Sequence, residues 1–386
     1  MTLEKSSIKV IHCLRAPIGG LFRHVCDLVQ GQYSQGLSVG VIYDSSTEDD
    51  YAKEVFAELS PLCSLGIMGV PISRTLKYSD LATLKQITEF CKKVQPQIIH
   101  GHGAKGGAFA RLVGSRAACS DVKTIYTPHG GSLHYAATSP VGMVYLGLER
   151  LLKKKTHGLI FESQYSADTY QKKLGHFPCD HKVIHNGLKE TEFDRWTDDN
   201  AEYDFVFVGE LRMLKGIGIL LQAIATIEKD HPVKVLIVGA GPDEEYFRNQ
   251  IENLRLNTSV EISPPIFPAT DAFNLGRCVV MPSLAESFPY IVLEALAAGC
   301  PLITTNVGGI PEIFGSYKKD LLDAGDVSAL TDAMFFAMES PDQLVLRSTQ
   351  IQAFIKSQFG IQKMLDKVKL YYDETISQGI RQERVN

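Results

Sequence analysis

Two glutamates, Glu286 and Glu294, are the strongest candidates for chemistry in this chain of 386 residues. Glu286 follows an apolar run that ends at Met281, and Glu294 lies inside the apolar helical pattern that comes next. The turn from a strand to a helix lies at the carboxyl end of the strand, where open α/β sheets bind ligands. Main-chain N–H groups and the helix dipole favour an anion there, and a carboxylate in the helix can accept hydrogen bonds from ribose hydroxyls. The alternative is that both glutamates are solvated charges on a helix face.

The residues around these glutamates form a longer pattern. The helix that carries Glu294 is predicted to begin at Pro289 and to end at Gly299, followed by Cys and Pro. After the next predicted strand comes the motif Gly308-Gly309-Ile-Pro-Glu. Together, Glu-x7-Glu, Ala-Leu-Ala-Ala-Gly-x-Pro and Gly-Gly-x-Pro-Glu resemble the donor-site signature of the retaining glycosyltransferases of family four, which have the GT-B fold.

The resemblance implies a role for each part of this stretch. Glu294 would hold the nucleotide ribose, Glu286 would lie near the donor sugar, and the loop with the two glycines would close around that sugar. The residues implied to contact the donor here are Glu286, Ser287, Phe288, Pro289, Tyr290, Glu294, Gly308 and Gly309.

A pair of cations at an earlier strand–helix junction fits a diphosphate. Arg212 and Lys215 follow an apolar run and precede an apolar helical pattern. Helix N–H groups and two positive side chains can neutralise the charge on a leaving phosphate, although the pair could also be solvated residues beside a turn. The family has Gly-Arg-Leu at this place, whereas Glu210 follows Gly209 here and the arginine comes two residues later. The resemblance therefore implies Lys215 as a phosphate ligand directly and Arg212 only by a shifted position.

Two glycine-rich turns are candidates for a close approach of the backbone to the donor. Gly19 and Gly20 follow the first predicted strand, and a loop at this place in the family faces the donor phosphate and the acceptor. Gly239 and Gly241 follow the predicted strand 234–238. By itself Gly-x-Gly could indicate a dinucleotide-binding fold, but Glu244 replaces the third glycine of that motif. The resemblance places this second loop near the nucleotide.

Histidines follow two strands of the first half. His129 lies in Thr-Pro-His-Gly-Gly after the predicted strand 123–126, and the resemblance implies that it lines the pocket of the transferred sugar. His100 and His102 end the preceding strand, and Lys105 follows. With no third ligand close in the sequence we predict no zinc site, and we assign His102 and Lys105 to acceptor contacts. No Asp-x-Asp motif occurs, so we expect a mechanism with no metal and no cofactor.

The elements that position these residues alternate between strands and helices. The first half has predicted strands at 9–14, 39–43, 61–68, 97–100, 123–126, 158–162 and 182–185, with helices at 21–35, 80–94, 106–118 and 141–155. The second half has predicted strands at 204–208, 234–238, 260–262, 278–281 and 302–305. Alternation of this kind indicates doubly wound parallel sheets.

A polar stretch at 186–203 is the predicted linker between the halves. We therefore expect an α/β protein of the GT-B class, with two Rossmann-like domains facing a cleft. Residues 1–190 would form the acceptor domain, onto which 365–386 would cross back, and 191–364 would form the donor domain.

Composition limits the cellular role. The net charge of −5 gives no basic field for nucleic acid, and the eight scattered cysteines indicate reduced core residues. Neither a signal-peptide apolar region nor an apolar run of the roughly 18–20 residues needed to span a bilayer is found. We expect a cytoplasmic protein. Lys153, Lys154 and Lys155 complement a helix dipole or, alternatively, contact anionic lipid at the inner face of the membrane.

The predicted activity is transfer of a sugar from a nucleotide diphosphate donor to a hydroxyl of a glycan or lipid-linked acceptor. The alternatives are a nucleotide-sugar epimerase or hydrolase of the same fold, and an inactive partner subunit of a glycosyltransferase. A dehydrogenase is least favoured, because the dinucleotide fingerprint is incomplete.

Overall fold

The computed structural model describes residues 7–75, 77–199 and 201–383. Residues 1–6, which belong to the segment predicted to hold no signal peptide, lie outside them. The chain forms two compact units: unit 1 runs to Asn186 and resumes at Ile361, and unit 2 is Gly187–Gly360. These divisions fall a few residues before the boundaries at 190 and 364 that the sequence suggested.

Unit 1 is built on one parallel sheet of seven strands. Its strands are β1 (Lys9–Cys13), β2 (Ser38–Asp44), β3 (Gly66–Val70), β4 (Ile98–His102), β5 (Lys123–Thr127), β6 (Gly158–Phe161) and β7 (His181–Val183). They lie in the order β3-β2-β1-β4-β5-β6-β7. The direction of winding therefore changes between β1 and β4, and this switch point is where sheets of this kind bind ligands.

Helices cover both faces of this sheet. They are α1 (Gly19–Ser34), α2 (Asp50–Leu59), α3 (Ser79–Val94), α4 (Gly103–Gly114), α5 (Pro140–Lys153), α6 (Gln164–Leu174) and the last helix of the chain, α14 (Ile361–Glu383). The predicted return of the chain to its first half is confirmed by α14. Tyr371 on this helix is buried, accepts a hydrogen bond from the Leu159 N–H at 3.1 Å and donates one to the Asp180 carbonyl at 2.6 Å.

Two predictions for unit 1 were wrong. The predicted strand 61–68 begins only at Gly66, because Ser60–Leu62 form a short 3-10 turn that contains Pro61, which has no N–H to give to a sheet. No helix was predicted between the strands 39–43 and 61–68, but the chain forms α2 there. The Asp49 side chain caps this helix by accepting from the Ala52 N–H at 2.8 Å.

Unit 2 has a smaller parallel sheet in the order β10-β9-β8-β11-β12. The strands are β8 (Tyr203–Val208), β9 (Val235–Val238), β10 (Val260–Ser263), β11 (Gly276–Met281) and β12 (Leu302–Thr304). The helices are α7 (Ile217–Ile227), α8 (Glu244–Asn253), α9 (Ala269–Phe273), α10 (Tyr290–Ala298), α11 (Ile310–Phe314), α12 (Val327–Glu339) and α13 (Pro341–Gln358). The apolar runs of the central strands are buried on both faces, as parallel sheets require. The switch point of this sheet lies between β8 and β11.

The polar stretch predicted as a linker is packed onto unit 2. Leu188 and Phe193 are buried in the same apolar cluster as α10. The Asp194 N–H donates to the Ala297 carbonyl at 3.2 Å, and the Leu188 N–H donates to the Phe359 carbonyl at 2.8 Å. Two apolar side chains and these main-chain bonds fix the segment, although it has no apolar run that the sequence could show.

Candidate functional site

The turn between β11 and α10 holds a buried carboxylate. Glu286 is 8% exposed. Its Oε1 accepts a hydrogen bond from the Lys215 ammonium at 2.7 Å and another from the Ser283 hydroxyl at 2.8 Å. Lys215 lies in the loop after β8, and β8 pairs with β11. The ion pair therefore spans the switch point of the sheet, and it joins two residues that the sequence singled out separately.

Close backbone contacts hold the loop after β8 against the loop after β11. Gly216 has φ +75°, and a Cβ there would come within 1.8 Å of the Pro282 carbonyl oxygen. The Leu284 N–H donates to the Leu214 carbonyl at 2.8 Å. Only glycine allows both this φ and this approach. Gly216 therefore fixes the backbone position of the adjacent Lys215 relative to the loop of Glu286.

The predicted Gly308–Gly309 loop also lies at this turn. A Cβ on Gly308, which has φ +59°, would lie 1.8 Å from the Glu286 carbonyl oxygen. The Gly309 N–H donates to the Ser287 carbonyl at 2.9 Å. Loops from three neighbouring strands, β8, β11 and β12, therefore meet around Glu286.

The predicted loop after β9 lies against the beginning of the same site. A Cβ on Gly239 would come within 1.9 Å of the Gly209 carbonyl oxygen, and one on Gly241 within 2.5 Å of the Leu211 nitrogen. The Leu211 N–H donates to the Ala240 carbonyl at 3.0 Å. These glycines are thus required for loop packing, whatever else they contact.

Arg212 is placed differently from Lys215. It precedes a short 3-10 turn, Met213–Lys215, and its Nη1 lies 3.6 Å from Oε2 of Glu210. Both side chains of this pair are largely open to solvent, at 36% and 50% exposed. Arg212 is therefore available at the surface of the loop. Its carboxylate partner, Glu210, occupies the position at which the family has its arginine.

Helix α10 begins one residue later than predicted. Pro289 is the N-cap, with ψ 125°, and the first helical residue is Tyr290. Its extended ψ leaves Pro289 just outside the helix. Gly299 ends the helix with φ +87°, as predicted. Glu294 is half-buried in the second turn, whereas Phe288 and Tyr290 pack into the apolar cluster of unit 2.

Unit 1 places the remaining predicted residues at the carboxyl edge of its own sheet. Gly19 and Gly20 are exposed at the beginning of α1, directly after β1, and Gly19 has φ +67°. His129 follows β5 with the uncommon φ of +49°. Lys105 is buried in α4, where it forms an ion pair with Asp80 and leaves little surface for an acceptor.

The histidines correct one prediction. His102, expected to have no third ligand near it, shares a buried cluster with His12, His24, His100 and His129. In two sets of three, His12 with His100 and His102, and His24 with His102 and His129, the ring nitrogens lie within 4.8 Å of one another. The sequence missed His12 because it lies within an apolar strand, and only the pairing of β1 with β4, which sets His12 opposite His100, brings the rings together.

Burial keeps these imidazoles neutral. It lowers the pKa of His12 to about 4 and that of His24 to about 3, with the hydrogen bonds to Gln32 and Asn186 opposing the shift in each case. The pKa values of His100, His102 and His129 also lie well below the ordinary range, because of burial first and of neighbouring histidines second.

A second buried network, which the sequence did not reveal, supports the loop of His129. The Arg111 guanidinium donates to Glu149 at 2.8 Å. The hydroxyls of Tyr126 and Ser132 donate to the same carboxylate at 3.0 and 2.9 Å. Since Tyr126 and Ser132 lie on either side of the loop, this network fixes both of its ends.

Two doubly wound parallel sheets, with the last helix returned to the first unit, define the GT-B class of fold. A family model described as Glycosyltransferase Family 4 matches residues 18–192, and one described as Glycosyl transferases group 1 matches 189–353. The chain therefore belongs to the family-four, group-1 glycosyltransferases.

Individual relatives agree with this family. The chain is 22% identical over 309 residues to N-acetyl-alpha-D-glucosaminyl L-malate synthase of Bacillus anthracis, covering 76% of this chain and 79% of that protein. It is 26% identical over 322 residues to UDP-Gal:alpha-D-GlcNAc-diphosphoundecaprenol alpha-1,3-galactosyltransferase of Escherichia coli, covering 77% and 81%. The crystal structure of Anabaena HepE in complex with UDP-glucose has the same fold, with a TM-score of 0.77, 17% identity, and coverage of 96% of this chain and 100% of that one.

Proposed function

We propose that this glycosyltransferase moves a sugar from a nucleotide diphosphate donor to a hydroxyl acceptor, with retention of anomeric configuration and without a metal ion. The observation that carries the proposal is the Lys215–Glu286 pair at the switch point of unit 2, enclosed by three loops that approach one another through glycines. A cation and a helix N-terminus at such a point provide a counter-charge for a leaving diphosphate. Names of relatives that contain UDP-linked sugars support a donor of this class.

Each residue then has a separate task. Lys215, with Arg212 from the loop surface, stabilises the leaving diphosphate, and Glu294 accepts hydrogen bonds from the ribose. Glu286 orients the sugar, and the loop of His129 lines the sugar pocket. The side chains of Phe288 and Tyr290 are buried in the core and are not available to the donor. The remaining contacts with the donor therefore come from main-chain groups of Ser287 and of the Gly308–Gly309 loop.

The direct test is product analysis with a panel of nucleotide sugars and simple acceptor glycosides. NMR of the product should show the anomeric configuration of the donor, in the presence of excess EDTA. An inverted product would refute retention. Conversion of the donor sugar without an acceptor would indicate an epimerase, and release of free sugar as the main product would indicate a hydrolase.

We also propose that the acceptor is lipid-linked and is met at the inner surface of the membrane. No helix within the described ranges is long and apolar enough to cross a bilayer. Helix α5 instead exposes Val141, Met143, Val144 and Leu151 by 51–71%. Arg150 and Lys154 lie at the basic end of this face. An apolar face with basic residues beside it fits shallow insertion among anionic headgroups.

Vesicle sedimentation tests this surface. The protein should bind vesicles that contain phosphatidylglycerol more strongly than those of phosphatidylcholine alone, and Leu151→Glu should weaken the binding. The matched control is Leu346→Glu, because Leu346 is similarly exposed, at 62%, but lies on α13 of unit 2. Equal binding by both variants would refute α5 as the contact surface.

A further inference from the structure

A continuous row of polar groups crosses unit 1 beneath the loop of His129. The Gln32 amide lies 2.9 Å from Nε2 of His12, and Nδ1 of His12 lies 3.0 Å from Nε2 of His102. Nδ1 of His102 lies 3.1 Å from Nε2 of His129, and Nδ1 of His129 lies 3.7 Å from a carboxylate oxygen of Glu162. We call these five residues the imidazole chain.

The rings of this chain are arranged as hydrogen-bonded partners. The ring centroids are 5.2 Å apart for His12 and His102, and 5.4 Å apart for His102 and His129. Each separation exceeds the nitrogen–nitrogen distance by about the width of one imidazole. The facing nitrogens therefore lie on the line between the rings, as in an N–H···N hydrogen bond. Two ligands of one metal ion would instead aim at a common point to the side of that line.

The number of hydrogens gives the chain a direction. Three hydrogen bonds and the electrostatic contact with Glu162 together need four hydrogens, and three neutral imidazoles supply one each. The 3.7 Å from Nδ1 of His129 to the Glu162 carboxylate is too long for a hydrogen bond, but the negative charge attracts an N–H and repels the lone pair of a bare nitrogen, so the nitrogen that faces it carries a hydrogen. Nε2 of His129 then accepts from Nδ1–H of His102, and Nε2 of His102 accepts from Nδ1–H of His12. Nε2 of His12 is therefore left as an acceptor, and the fourth hydrogen must come from the amide of Gln32.

The Gln32 amide can meet this requirement by rotating about its last side-chain bond alone. In the structure its oxygen faces His12, and its nitrogen faces the Tyr372 hydroxyl at 3.4 Å. Half a turn of the amide exchanges the two atoms and leaves the shape unchanged. The Tyr372 hydroxyl can donate as well as accept, so it is satisfied either way. With the NH2 group toward His12, each of the three hydrogen bonds has one donor and one acceptor, and an N–H faces the Glu162 carboxylate.

We propose that Gln32, His12 and His102 are positioning residues that hold His129 as the Nδ1–H tautomer, with that N–H directed at Glu162. Nε2 of His129 is thereby hydrogen-bonded to His102 and its Nδ1–H faces the Glu162 carboxylate, and the ring anchors a loop whose backbone is strained at φ +49°. The effect on sugar transfer rests on the proposed function, in which this loop lines the donor sugar. The tautomers themselves do not depend on it.

The tautomers can be measured on the unmodified protein. Long-range ¹H–¹⁵N spectra of protein labelled with [¹⁵N]histidine distinguish a protonated from a bare ring nitrogen, and replacing each histidine in turn assigns the signals. We expect Nδ1–H on His12, His102 and His129 at neutral pH. Nε2–H on these rings, or an imidazolium among them, would overturn the proposal whether or not the protein transfers a sugar.

The isosteric substitution Gln32→Glu tests the direction of the chain. A carboxylate at each end can only accept, so three neutral rings are one hydrogen short and the chain should take up an additional proton. An imidazolium signal should appear at neutral pH. Turnover at saturating donor should fall by roughly tenfold or more, because the loop is displaced. The affinity for the nucleoside diphosphate, which is assigned to unit 2, should be unchanged.

The matched control is Gln30→Glu, which makes the same change on the same helix at a partly exposed side chain. It should leave the tautomers and the turnover unchanged. Equal spectra and rates for the two variants would overturn the proposal. Altered tautomers with unaltered turnover would keep the chain but refute its link to sugar transfer.

A metal titration provides the remaining comparison. Zn²⁺ added to the unmodified protein should leave the three sets of ring signals unchanged, because five of the six ring nitrogens already have a hydrogen-bond partner and the sixth, Nδ1 of His129, carries a hydrogen. Stoichiometric Zn²⁺ binding that shifts the signals of His12, His102 and His129 together would show that the cluster is a metal site, and would overturn the hydrogen-bonded chain.

Discussion

Lys215 and Glu286 form a pair in which each residue supports the other. Glu286 is nearly buried, and a buried carboxylate is costly unless it is paired and hydrogen-bonded. Lys215 supplies the charge, and Ser283 supplies a second hydrogen bond. An ammonium has three donors, and Glu286 takes one of them. In the proposed function, the remaining donors of Lys215 bind the diphosphate while Glu286 keeps its own.

Exchange of each glutamate for glutamine should separate the two carboxylates by function. Glu294→Gln should weaken donor and nucleoside diphosphate alike, by roughly 1.5–3 kcal/mol, the range for a hydrogen bond to a charged group. Glu286→Gln should lower turnover while leaving nucleoside diphosphate affinity nearly intact, because the sugar is the part that changes during reaction. Calorimetry and turnover at saturating donor measure the two effects.

The opposite pattern would reverse the two assignments. If Glu286→Gln lost nucleotide binding while Glu294→Gln kept it, the ribose would be bound by Glu286 and not by Glu294. If neither substitution altered binding or rate, both residues would be structural charges.

At the level of single residues, the sequence predicted Glu286, Lys215 and His129 as site residues because each follows an apolar strand, and Glu294 because it lies in the helix that comes next. It could not show that Lys215 and Glu286 touch, since they are 71 residues apart and meet only through the order of the strands. Gln32 and His12 carried no signal, because one lies in an amphipathic helix and the other in an apolar strand.

At the level of elements, glycines let the loops of unit 2 converge. Gly308→Ala should destabilise this unit for two reasons, its φ of +59° and the 1.8 Å approach of the new Cβ to the Glu286 carbonyl oxygen. The strained φ costs roughly 1–2 kcal/mol, and overpacking adds about 1–3 kcal/mol. Differential scanning calorimetry measures the loss as a lower unfolding temperature.

Gly325→Ala is the matched control for that substitution. Gly325 has φ +83°, but nothing lies within 4 Å of a Cβ placed there. It should show only the cost of the backbone conformation. An equal loss of stability in the two variants would mean that the contact between the Gly308 loop and Glu286 does not constrain the site.

Most strands were predictable because parallel strands buried on both faces are short apolar runs. The errors arose where local composition competes with long-range packing. Pro61 lies in a turn where a strand was predicted to begin, Asp49 caps a helix that was not predicted, and two apolar residues fix a stretch that otherwise looks like a linker. Those outcomes depend on contacts that no local pattern contains.

At the level of the whole molecule, the proposed chemistry needs no divalent ion. In the proposed function, Arg212 and Lys215 take the place of the positive charge that a metal provides in transferases with Asp-x-Asp. Turnover should therefore persist after dialysis against EDTA and should not rise when magnesium or manganese is added. Loss of activity in EDTA with recovery on adding either ion would contradict the mechanism.

The most direct test of the central claim is calorimetric titration of UDP, GDP and ADP into the protein and two lysine variants. One nucleoside diphosphate should bind the unmodified protein. Lys215→Met should weaken that binding by roughly 1.5–3 kcal/mol, the range for a hydrogen bond to a charged group. Lys229→Met, which removes an exposed lysine of the same unit, should have no effect. If none of the nucleotides bound, or if Lys215→Met bound as tightly as the unmodified protein, the donor site would not lie at the Lys215–Glu286 pair.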